Sequence, residues 1–498
     1  MIKLDLFTLL DKCKFHYKKL TTENHNVNDI SENSQVITEN IIFIAIKGEN
    51  HDGHDFLIDV INKKVKTVIY EDRYYDYLSF PGTNMIRVHD TKKAFAILAA
   101  NFFNHPSLDT QLVGVTGTNG KTTVTTLMYH LFKLLKQKAT IIGTNGISVG
   151  DLKVKTKNTT PGAYTIQKIL SDSLKNSITN VVMEVSSHAI KQERISQLDF
   201  KTVIYTNFSH DHLDYHKTFE DYFYSKALIF SGLGNIYNNK LVLFNGDDKY
   251  YKRFLSLTHV EYYTYGIGSH NDFQARNIIC DVDKISFHFY AFNEFIGIVN
   301  TNNIFGFFNI ANLLACISYF YLKQYNMSTL LALMPELNGV KGRMEKVNNH
   351  YSLNIFVDYA HTPDSIYRVL KEIKLISRKR IITVVGCGGN RDPLKRPLIG
   401  KITTELSDIV IFTSDNPRYE DPDNIITEIF QGVQKNNFVK LENRFEAIEY
   451  AIKIMHKDDI VVILGKGHEN YQIIKDEVID FNDYEIALNS INKLYKGE

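Results

Sequence analysis

Short apolar runs alternate with stretches of helical spacing along most of the chain. In the first hundred residues, apolar runs predict strands at 41–46 and 67–70, and helical spacing predicts helices at 56–63 and 91–103. Pro106 then predicts a boundary, because the residue before a proline is disfavoured in a helix.

The same alternation continues in two further blocks. The second block has predicted strands at 112–115, 139–142, 180–185 and 202–206, with a helix at 124–135 and further helices between the later strands. The third has predicted strands at 353–357, 380–385, 409–413 and 460–464. Strands that alternate with helices form parallel sheets covered on both faces. The pattern therefore predicts an α/β fold class with three domains: an N-terminal α/β domain at 1–105, a central parallel-sheet domain at 106–342 and a C-terminal, doubly wound, Rossmann-like domain at 343–498.

Composition narrows the class of protein. The 498 residues carry 57 basic and 56 acidic side chains, a net charge of +1, so no long-range attraction to nucleic acid or an anionic membrane is expected. The four cysteines are too few for a disulfide framework and are not spaced as metal ligands, which favours a reducing compartment. We expect a cytoplasmic protein without a signal peptide, and no run approaches the roughly 20 apolar residues that span a bilayer.

A glycine-rich turn stands between the predicted strand at 112–115 and the next helix. It comprises Gly117, Thr118, Asn119, Gly120, Lys121, Thr122 and Thr123. Backbone N–H groups and the positive end of a helix suit phosphate, Lys121 can reach the terminal phosphates, and the Thr122 hydroxyl can ligate Mg²⁺. The full Walker pattern is not met, because Val115 occupies its first position, and a plain glycine turn is the weaker alternative. The sequence therefore predicts an ATP site.

Further motifs follow this turn along the chain. They are NTTP (158–161), MEVSSH (183–188), NFSHDHLDYH (207–216), GFFNIAN (306–312), GRME (342–345), DYAHTP (358–363), DNPR (415–418) and GKGHE (465–469). Together with the shortened loop TGTNGKTT, they resemble the Mur ligase family, of the MurE type, over nearly the whole chain. The resemblance implies an ATP-dependent ligase of cytoplasmic peptidoglycan precursor synthesis whose N-terminal domain binds the uridine nucleotide.

The reaction is also implied by this resemblance. ATP would phosphorylate the terminal carboxylate of UDP-MurNAc-L-Ala-D-Glu, and the amine of meso-diaminopimelate would then displace phosphate from the acyl phosphate. We expect small-molecule substrates as the only partners, neither nucleic acid nor membrane, and a monomer. Because nucleotide and amino-acid motifs fall in different blocks, domain closure is expected.

Metal binding is assigned by the resemblance to four residues. It implies Mg²⁺, as two ions, at Thr122, Glu184, His212 and a carbamylated Lys226, and catalytic roles for Lys121, Glu184, His212 and Lys226. From the residues alone, a His- and Asp-rich loop such as 207–216 is more often solvated surface, and Lys226 would be an exposed lysine of a helix at 219–230. A desolvated amine can nevertheless be neutral and reactive, which makes a carbamate chemically reasonable.

The resemblance also distributes the substrates. It places the UDP-MurNAc dipeptide at Ser34, Asn158, Thr159, Thr160, Ser186, Gln192 and Arg194. It places the nucleotide, beyond the phosphate loop, at Asn309, Asn312, Arg343 and Asp358. From the residues alone, segment 306–312 is equally well a helix start with an asparagine cap. One motif departs from the family, because its D-S-R is Asn33-Ser34-Gln35 here, which leaves the uridine contacts less defined.

The amino acid that is added depends on the DNPR motif. The resemblance places diaminopimelate at Arg391, Asp415, Asn416, Pro417, Arg418, Gly465 and Glu469. Diaminopimelate has a second carboxylate, which a planar guanidinium at position 418 can bind in bidentate fashion, whereas lysine would bring an ammonium that Arg418 repels. Glu469 can receive an ammonium and Arg391 a carboxylate.

Other functions were weighed against this hypothesis. Arg418 argues against a lysine-adding ligase, and the N-terminal block argues against a folylpolyglutamate synthetase. A P-loop kinase or motor ATPase would have a full Walker loop, which Val115 interrupts. A non-catalytic nucleotide-binding scaffold would not need Lys121 and Glu184.

Overall fold

The computed structural model describes residues 4–11, 13, 17–19, 23–48, 51–71, 79–156, 158–209, 211, 213–232, 239–281, 284–377 and 379–495. Their strands form three main sheets, each wrapped by helices. His212 lies outside the described residues, so its predicted role as a metal ligand is not examined by the structure. Within the described ranges, no helix is both long and apolar enough to cross a bilayer.

The N-terminal part contains a five-stranded sheet in the order β2-β7-β6-β5-β4. The strands of the whole N-terminal part are β1 Leu4–Asp5, β2 Tyr17–Lys19, β3 Asn26–Val27, β4 Asp29–Ser31, β5 Ile41–Ile44, β6 Thr67–Glu71 and β7 Asn84–Val88. Its helices are α1 Leu6–Asp11, α2 Leu57–Asn62 and α3 Thr91–Phe102. Strands β4 to β7 are parallel, whereas β2 joins β7 in the antiparallel sense. Strand β6 is buried along its whole length, as expected for a strand covered on both faces.

The central part contains an eleven-stranded sheet in the order β11-β10-β9-β12-β8-β13-β14-β15-β16-β17-β18. Its strands are β8 Gln111–Thr116, β9 Ala139–Gly143, β10 Gly146–Val149, β11 Leu152–Val154, β12 Asn180–Glu184, β13 Thr202–Tyr205, β14 Leu241–Asn245, β15 Glu261–Gly266, β16 Phe273–Cys280, β17 Ile285–Ala291 and β18 Glu294–Thr301. Its helices are α4 Lys121–Leu134, α5 Ala163–Lys175, α6 Ser187–Lys191, α7 Leu213–His216, α8 Phe219–Ser231, α9 Tyr251–Leu255, α10 Phe308–Leu322 and α11 Met327–Leu333.

The predicted parallel sheet is present in the centre of this part, from β9 to β16 in the sheet order. Antiparallel strands extend it at both edges, β10 and β11 on one side and β17 and β18 on the other. Buried and half-buried residues alternate along β17, the pattern of a strand with only one covered face. The carboxyl ends of β8, β12 and β13 lie side by side, and this edge carries the phosphate loop.

The C-terminal part contains a six-stranded sheet in the order β19-β20-β24-β21-β22-β23, with the hairpin β25–β26 beside it. Its strands are β19 Glu345–Lys346, β20 Asn354–Asp358, β21 Ile381–Val385, β22 Ile409–Phe412, β23 Phe438–Lys440, β24 Ile460–Leu464, β25 Tyr471–Ile474 and β26 Glu477–Asp480. Its helices are α12 Pro363–Ile376, α13 Lys395–Leu406, α14 Pro422–Phe430, α15 Arg444–Ile454 and α16 Asp483–Tyr495. All pairings within the six-stranded sheet except β19–β20 are parallel, which confirms the predicted doubly wound unit.

Candidate active site

The phosphate loop connects β8 to α4 and depends on two glycines. Gly117 has φ 150° and Gly120 has φ 85°, so both lie in the region of backbone conformation that favours glycine. A Cβ at Gly117 would lie 1.9 Å from Thr206 Oγ1, and one at Gly120 would lie 2.7 Å from Asn312 Oδ1. Only glycine therefore allows this loop to pack as closely as it does against its neighbours.

The segment after β13 holds the loop in place. The Thr118 N–H donates to the Asn207 carbonyl at 2.8 Å, and the Asn119 N–H donates to the Asn207 side chain at 3.0 Å. The Thr206 hydroxyl donates to the Asn119 carbonyl at 2.6 Å, and the Ser209 N–H donates to Thr118 Oγ1 at 3.0 Å. These hydrogen bonds join two chain segments that are about 90 residues apart. Together the segments form the edge of the sheet at which α4 begins.

Two lysines share one acceptor on this loop. Lys121 Nζ donates to the carbonyls of Gly117 at 2.9 Å and Thr118 at 2.8 Å, and Lys226 Nζ donates to the Gly117 carbonyl at 2.9 Å. Burial lowers the pKa of Lys226 well below its usual value, and the nearby Lys121 charge lowers it further. Burial also lowers the pKa of Lys121, whereas Glu184 and Asp211 oppose that shift.

The environment of Lys226 corrects an expectation based on residue type. Lys226 is only 1% exposed, so the alternative of a solvated helix lysine is wrong. It lies on α8, which begins at a Thr218 cap that accepts from the Asp221 N–H. Lys226 Nζ lies over the Tyr222 ring at 5.1 Å from its centroid, as expected for two residues four positions, or about one turn, apart on a helix.

Glu184 ends β12 inside the same edge and is 1% exposed. Its Oε2 accepts from the Thr122 hydroxyl at 2.9 Å, and its Oε1 accepts from the Thr144 N–H at 2.7 Å. Sequence reasoning missed Thr144, although its place directly after β9, at the carboxyl edge of the sheet, was a usable signal.

The donor set around Glu184 suits magnesium. The hydroxyl of Thr122 and the carboxylate of Glu184 are hard oxygen ligands, and Mg²⁺ needs only one or two protein carboxylates in addition to phosphate oxygens and water. Among the residues that the structure describes, there is no group of three or more His, Cys, Asp or Glu side chains arranged to hold a metal. Asp211, whose charge acts on both lysines, lies on the wall of the adjacent cavity.

That cavity, of about 370 Å³, has walls from both the central and the C-terminal part, and we call it the nucleotide cavity. Its lining includes Thr118, Asn119, Gly120, Lys121, Thr122, Thr123, Asn207, Asp211, Asn312, Arg343, Asp358, Tyr359 and Arg368. Arg343 Nη2 donates to Thr122 Oγ1 at 3.4 Å, and its guanidinium lies 4.7 Å from the Tyr359 ring centroid. The predicted meeting of the phosphate loop with Arg343 and Asp358 is therefore present in the fold.

Asn309 and Asn312 occupy the first turns of α10 with different roles. Asn312 lines the nucleotide cavity, whereas Asn309 Nδ2 donates to the Phe305 carbonyl at 2.5 Å and Asn309 Oδ1 accepts from Asn312 at 2.8 Å. The alternative of an asparagine cap is wrong, because Phe307 occupies the cap position without a side-chain hydrogen bond. Asn309 thus orients Asn312.

Asp358 ends β20 and closes the cavity from the C-terminal side. Its carboxylate accepts from the Met344 N–H at 2.7 Å and from the Ala360 N–H at 2.8 Å. Burial raises the pKa of Asp358, and the Arg343 charge opposes that shift. The carboxylate therefore fixes the backbone next to Arg343.

A second cavity, of about 510 Å³, lies between N-terminal and central residues, and we call it the dipeptide cavity. Its lining includes Glu32, Lys47, Gly48, Asn158, Gln192, Arg194 and Tyr215. Arg194 Nη1 donates to the Thr160 carbonyl at 2.8 Å and its Nη2 donates to Gln192 at 2.5 Å. These bonds align the guanidinium along the wall of the cavity.

The remaining dipeptide-binding candidates lie around this cavity. The Thr160 hydroxyl donates to the Glu184 carbonyl at 2.8 Å, Thr159 accepts from Thr144 at 3.1 Å, and Ser186 Oγ caps α6. These three residues thus connect the dipeptide cavity to Glu184.

Ser34 is not one of the described residues that line the dipeptide cavity. Ser34 begins a short 3₁₀ turn. Asn33, which stands where the family motif D-S-R has its aspartate, accepts a hydrogen bond from the Gln35 N–H at the start of this turn. The asparagine thus keeps the turn that the family's aspartate would make, although not its charge.

The DNPR motif follows the carboxyl end of β22 and packs against the loop 465–469, and we call this region the amino-acid pocket after the ligand that the sequence predicts for it. Arg418 has φ 52°, and its Nη1 donates to the Gly389 carbonyl at 2.9 Å. Asn416 Nδ2 donates to Glu469 Oε2 at 3.0 Å. A Cβ at Gly465 would lie 2.6 Å from Asp415 Oδ2. The structure therefore brings together residues from two separate motifs and the backbone at Gly389.

Two further predicted residues complete the surroundings of this pocket. A Cβ at Gly388 would lie 3.0 Å from Arg418 Nη1 and 3.7 Å from Arg391 Cγ, so both arginines flank the same glycine. Arg391 is exposed, while Pro417 is buried. Lys466, which sequence reasoning passed over inside its motif, is buried beside Asn416.

Comparisons with known proteins agree with this geometry. The chain matches the family model of the Mur ligase middle domain over residues 115–320 and that of the Mur ligase, glutamate ligase domain over 342–467. It is 37% identical over 493 residues to the UDP-N-acetylmuramoyl-L-alanyl-D-glutamate--2,6-diaminopimelate ligase of Halalkalibacterium halodurans, with 99% of each chain covered. It is 40% identical over 474 residues to the Listeria innocua protein of the same name, with 94% of each covered.

Solved structures show the same architecture. A UDP-N-acetylmuramoyl-L-alanyl-D-glutamate--2,6-diaminopimelate ligase superposes with a TM-score of 0.68 at 28% identity, over 94% of this chain and 96% of that one. The MurF ligase from Thermotoga maritima in complex with ADP superposes with a TM-score of 0.62 at 18% identity, over 94% and 98%, which shows the fold alone.

The chain therefore belongs to the Mur ligase family of ATP-dependent, ADP-forming ligases of peptidoglycan precursor synthesis. Within that family it groups, over nearly its full length, with the ligases that add diaminopimelate.

Proposed function

We propose that the chain joins meso-diaminopimelate to the D-glutamate carboxylate of UDP-MurNAc-L-Ala-D-Glu and converts ATP to ADP and phosphate. The observation that carries this proposal is the nucleotide cavity, in which the phosphate loop meets Arg343. The loop 465–469, which contacts the DNPR motif, packs against the neighbouring Gly342. Near-full-length similarity to ligases named for this reaction supports the choice of substrates.

The first chemical step is phosphoryl transfer. The substrate carboxylate attacks the terminal phosphorus of ATP, the bond to the ADP oxygen breaks, and an acyl phosphate forms. Such transfer depends mainly on positioning and on neutralising charge. The N-terminus of α4 and the Lys121 ammonium supply positive charge, and Lys121 exchanges its bonds to the Gly117 and Thr118 carbonyls for phosphate oxygens.

The second step is amide formation. The neutral amine of diaminopimelate attacks the acyl carbon, and the tetrahedral intermediate releases phosphate, while the amine loses its proton. We propose that Arg391 and Arg418 bind substrate carboxylates and that Glu469 receives an ammonium, with Asp415, Asn416, Pro417 and Gly465 shaping the pocket. Contacts among Asn416, Glu469 and Gly465 support this arrangement.

The metal ligands are proposed as Thr122, Glu184, His212 and a carbamylated Lys226, which together hold two Mg²⁺ ions. When bound, the ions neutralise phosphate charge. The hydrogen bond from Thr122 to Glu184 supports this set, because it joins two of the proposed oxygen ligands. The lowered pKa of buried Lys226 favours the neutral, reactive amine, and addition of that amine to CO₂ forms an N–C bond and releases a proton.

We assign the remaining substrate to the dipeptide cavity. We propose that Arg194 binds a carboxylate of the UDP-MurNAc dipeptide, with Gln192, Ser186 and the segment Asn158, Thr159 and Thr160 around it. The alignment of Arg194 by Thr160 and Gln192 supports this role. Ser34 belongs to the proposed uridine end of the site.

Domain boundaries at 105/106 and 342/343 are part of the proposal, as is a monomer. The three main sheets each fall within one of the resulting segments, which supports the boundaries. Light scattering of the purified protein measures the mass, and a dimer would contradict the proposed state.

Phosphate release tests the proposed reaction. Purified protein with ATP, Mg²⁺ and UDP-MurNAc-L-Ala-D-Glu should release phosphate rapidly with meso-diaminopimelate and slowly with L-lysine. The product mass distinguishes the two amides. Equal use of lysine would overturn the substrate choice, and phosphate release without either amino acid product would reduce the activity to an ATPase.

Labelled CO₂ tests the carbamate. Protein equilibrated with ¹³C-bicarbonate should give a carbamate carbon signal in NMR spectra that disappears in Lys226→Met. Lys191→Met is a matched control. Lys191, the last residue of α6, is a partly exposed lysine that pairs with Asp221, and Asp221 lies on α8, the helix that carries Lys226. A signal that persists in Lys226→Met would place the carbamate elsewhere.

A further inference from the structure

One lysine in the amino-acid pocket is buried although no predicted role uses it. Lys466 has no exposed surface. It lies between Gly465 and Gly467, whose φ values are +115° and +52°. A Cβ at Gly467 would lie 2.7 Å from Tyr359 Cβ, so the backbone at Gly467 packs against Tyr359. The Arg343 guanidinium lies over the ring of the same tyrosine. The left-handed turns at the two glycines direct Lys466 inward.

The Lys466 ammonium contacts the two side chains that face each other in the pocket. Its Nζ donates to Asn416 Oδ1 at 3.1 Å and to Glu469 Oε2 at 3.3 Å, and it lies 5.5 Å from the Tyr471 ring centroid. The Ile473 N–H also donates to Asn416 Oδ1, at 3.0 Å. Because two donors fix the amide oxygen, Asn416 must present its Nδ2 to Glu469, as it does at 3.0 Å.

The charge of Lys466 also matters for the ligand. The pocket contains the carboxylates of Asp415 and Glu469, and Lys466 pairs with the second of them. With one carboxylate neutralised, the guanidiniums of Arg391 and Arg418 dominate the remaining charge. A ligand with a second carboxylate is then attracted, and a ligand with only an ammonium at that position is repelled.

We infer that Lys466 is a positioning residue that orients Asn416 and Glu469 and thereby sets the preference of this site for an amino acid with a second carboxylate. The inference rests on the proposed function. It deepens that proposal, because the discrimination against lysine then depends on a buried ammonium as well as on Arg418.

Steady-state kinetics of four variants test the role of Lys466. Lys466→Met should raise the KM for meso-diaminopimelate about ten- to hundredfold, because buried charged groups lose their partner, while the KM for ATP changes less than about twofold. Lys466→Arg should recover part of this loss. The ratio of kcat/KM for meso-diaminopimelate to that for L-lysine should fall in Lys466→Met.

A double variant separates positioning from general stability. If Lys466 acts through Glu469, then Lys466→Met/Glu469→Gln should have the same KM for meso-diaminopimelate as Glu469→Gln alone, within about twofold. This double variant buries no unpaired charge, so it gives the answer even if Lys466→Met does not fold. Additive effects, an unchanged KM in Lys466→Met, or an equal rise of both KM values would overturn the inference. Failure of the unmodified protein to use meso-diaminopimelate would instead overturn the proposed function.

Discussion

At the scale of single residues, the candidate site is built from charged side chains that the fold removes from water, among them Glu184 and Lys226. The loop residues, Glu184 and Arg343 were placed by motifs, and the fold brings them together at one cavity. The burial of Lys226 could not be derived from residue type, because lysines are rarely buried and only tertiary packing of α8 against the loop removes this one from water. Thr144 and Lys466 were missed because each acts through another side chain.

Replacement of Lys121 tests the phosphate loop. Lys121→Ala should reduce kcat for phosphate release about 10²- to 10³-fold, because it removes a preorganised charge from the transferred phosphoryl group. The matched control is Lys133→Ala, an exposed lysine on the same helix α4, which should retain the activity. Near-normal phosphate release by Lys121→Ala would contradict the assignment of the loop.

Replacement of Arg418 tests amino-acid selection. Arg418→Ala should raise the KM for meso-diaminopimelate about tenfold or more, through loss of a charge-assisted bidentate contact. Arg418→Lys is the control. It keeps the positive charge, and its backbone must adopt the same φ of 52°, but lysine lacks the planar guanidinium that binds a carboxylate in bidentate fashion. An unchanged KM for meso-diaminopimelate in Arg418→Ala would show that Arg418 does not select the amino acid.

At the scale of elements, predicted strands and helices agree with the observed ones to within a few residues, because glycine turns and apolar runs end them clearly. The antiparallel hairpin β10–β11 and the strands β16 to β18 were not predicted, because the βαβ rule describes only strands that alternate with helices. Helix α12 shows what sequence could not reveal. Its Asp364, Arg368 and Glu372, spaced four residues apart, all face the central part.

Glu372 should give this contact a pH dependence. It accepts from the Phe308 N–H at the start of α10, and burial raises its pKa to about 7. Between pH 4.5 and 7 the folded state therefore holds a proton that the unfolded state has lost, so this contribution to stability falls as the pH rises, by about 3 kcal/mol in total.

Thermal unfolding checks this sign. The midpoint of the unmodified protein should fall relative to Glu372→Gln between pH 5 and 8, because glutamine keeps an acceptor but does not ionise. Glu405→Gln, at an exposed glutamate of α13, is the control and should run parallel to the unmodified protein. Parallel curves for Glu372→Gln as well would contradict the raised pKa.

At the scale of the whole molecule, the three-domain α/β architecture was predictable because each block repeats one simple alternation. The meeting of the domains was not, since it depends on contacts between distant residues such as Arg343 with Thr122 and Asp364 with Ser209. The nucleotide cavity exists only where these two parts face each other. Binding of ATP should therefore be coupled to closure of the C-terminal domain.

Calorimetry tests this coupling. A non-hydrolysable ATP analogue with Mg²⁺, at a hundredfold its Kd, should stabilise the protein by about 2.7 kcal/mol. Because both sides of the cavity belong to the site, the transitions of the central and C-terminal domains should both move to higher temperature, while the N-terminal one stays. Movement of the central transition alone would mean that the cavity is not shared in solution.

The close packing of Gly117 has a consequence for drug resistance. Any side chain at this position would collide with Thr206 Oγ1, and the φ of Gly117 disfavours every other residue. An inhibitor whose decisive contacts are with the backbone of this loop therefore leaves the gene few substitutions that weaken the drug and preserve the enzyme. Escape would have to arise elsewhere, at walls such as Arg368, where a side chain lines the cavity.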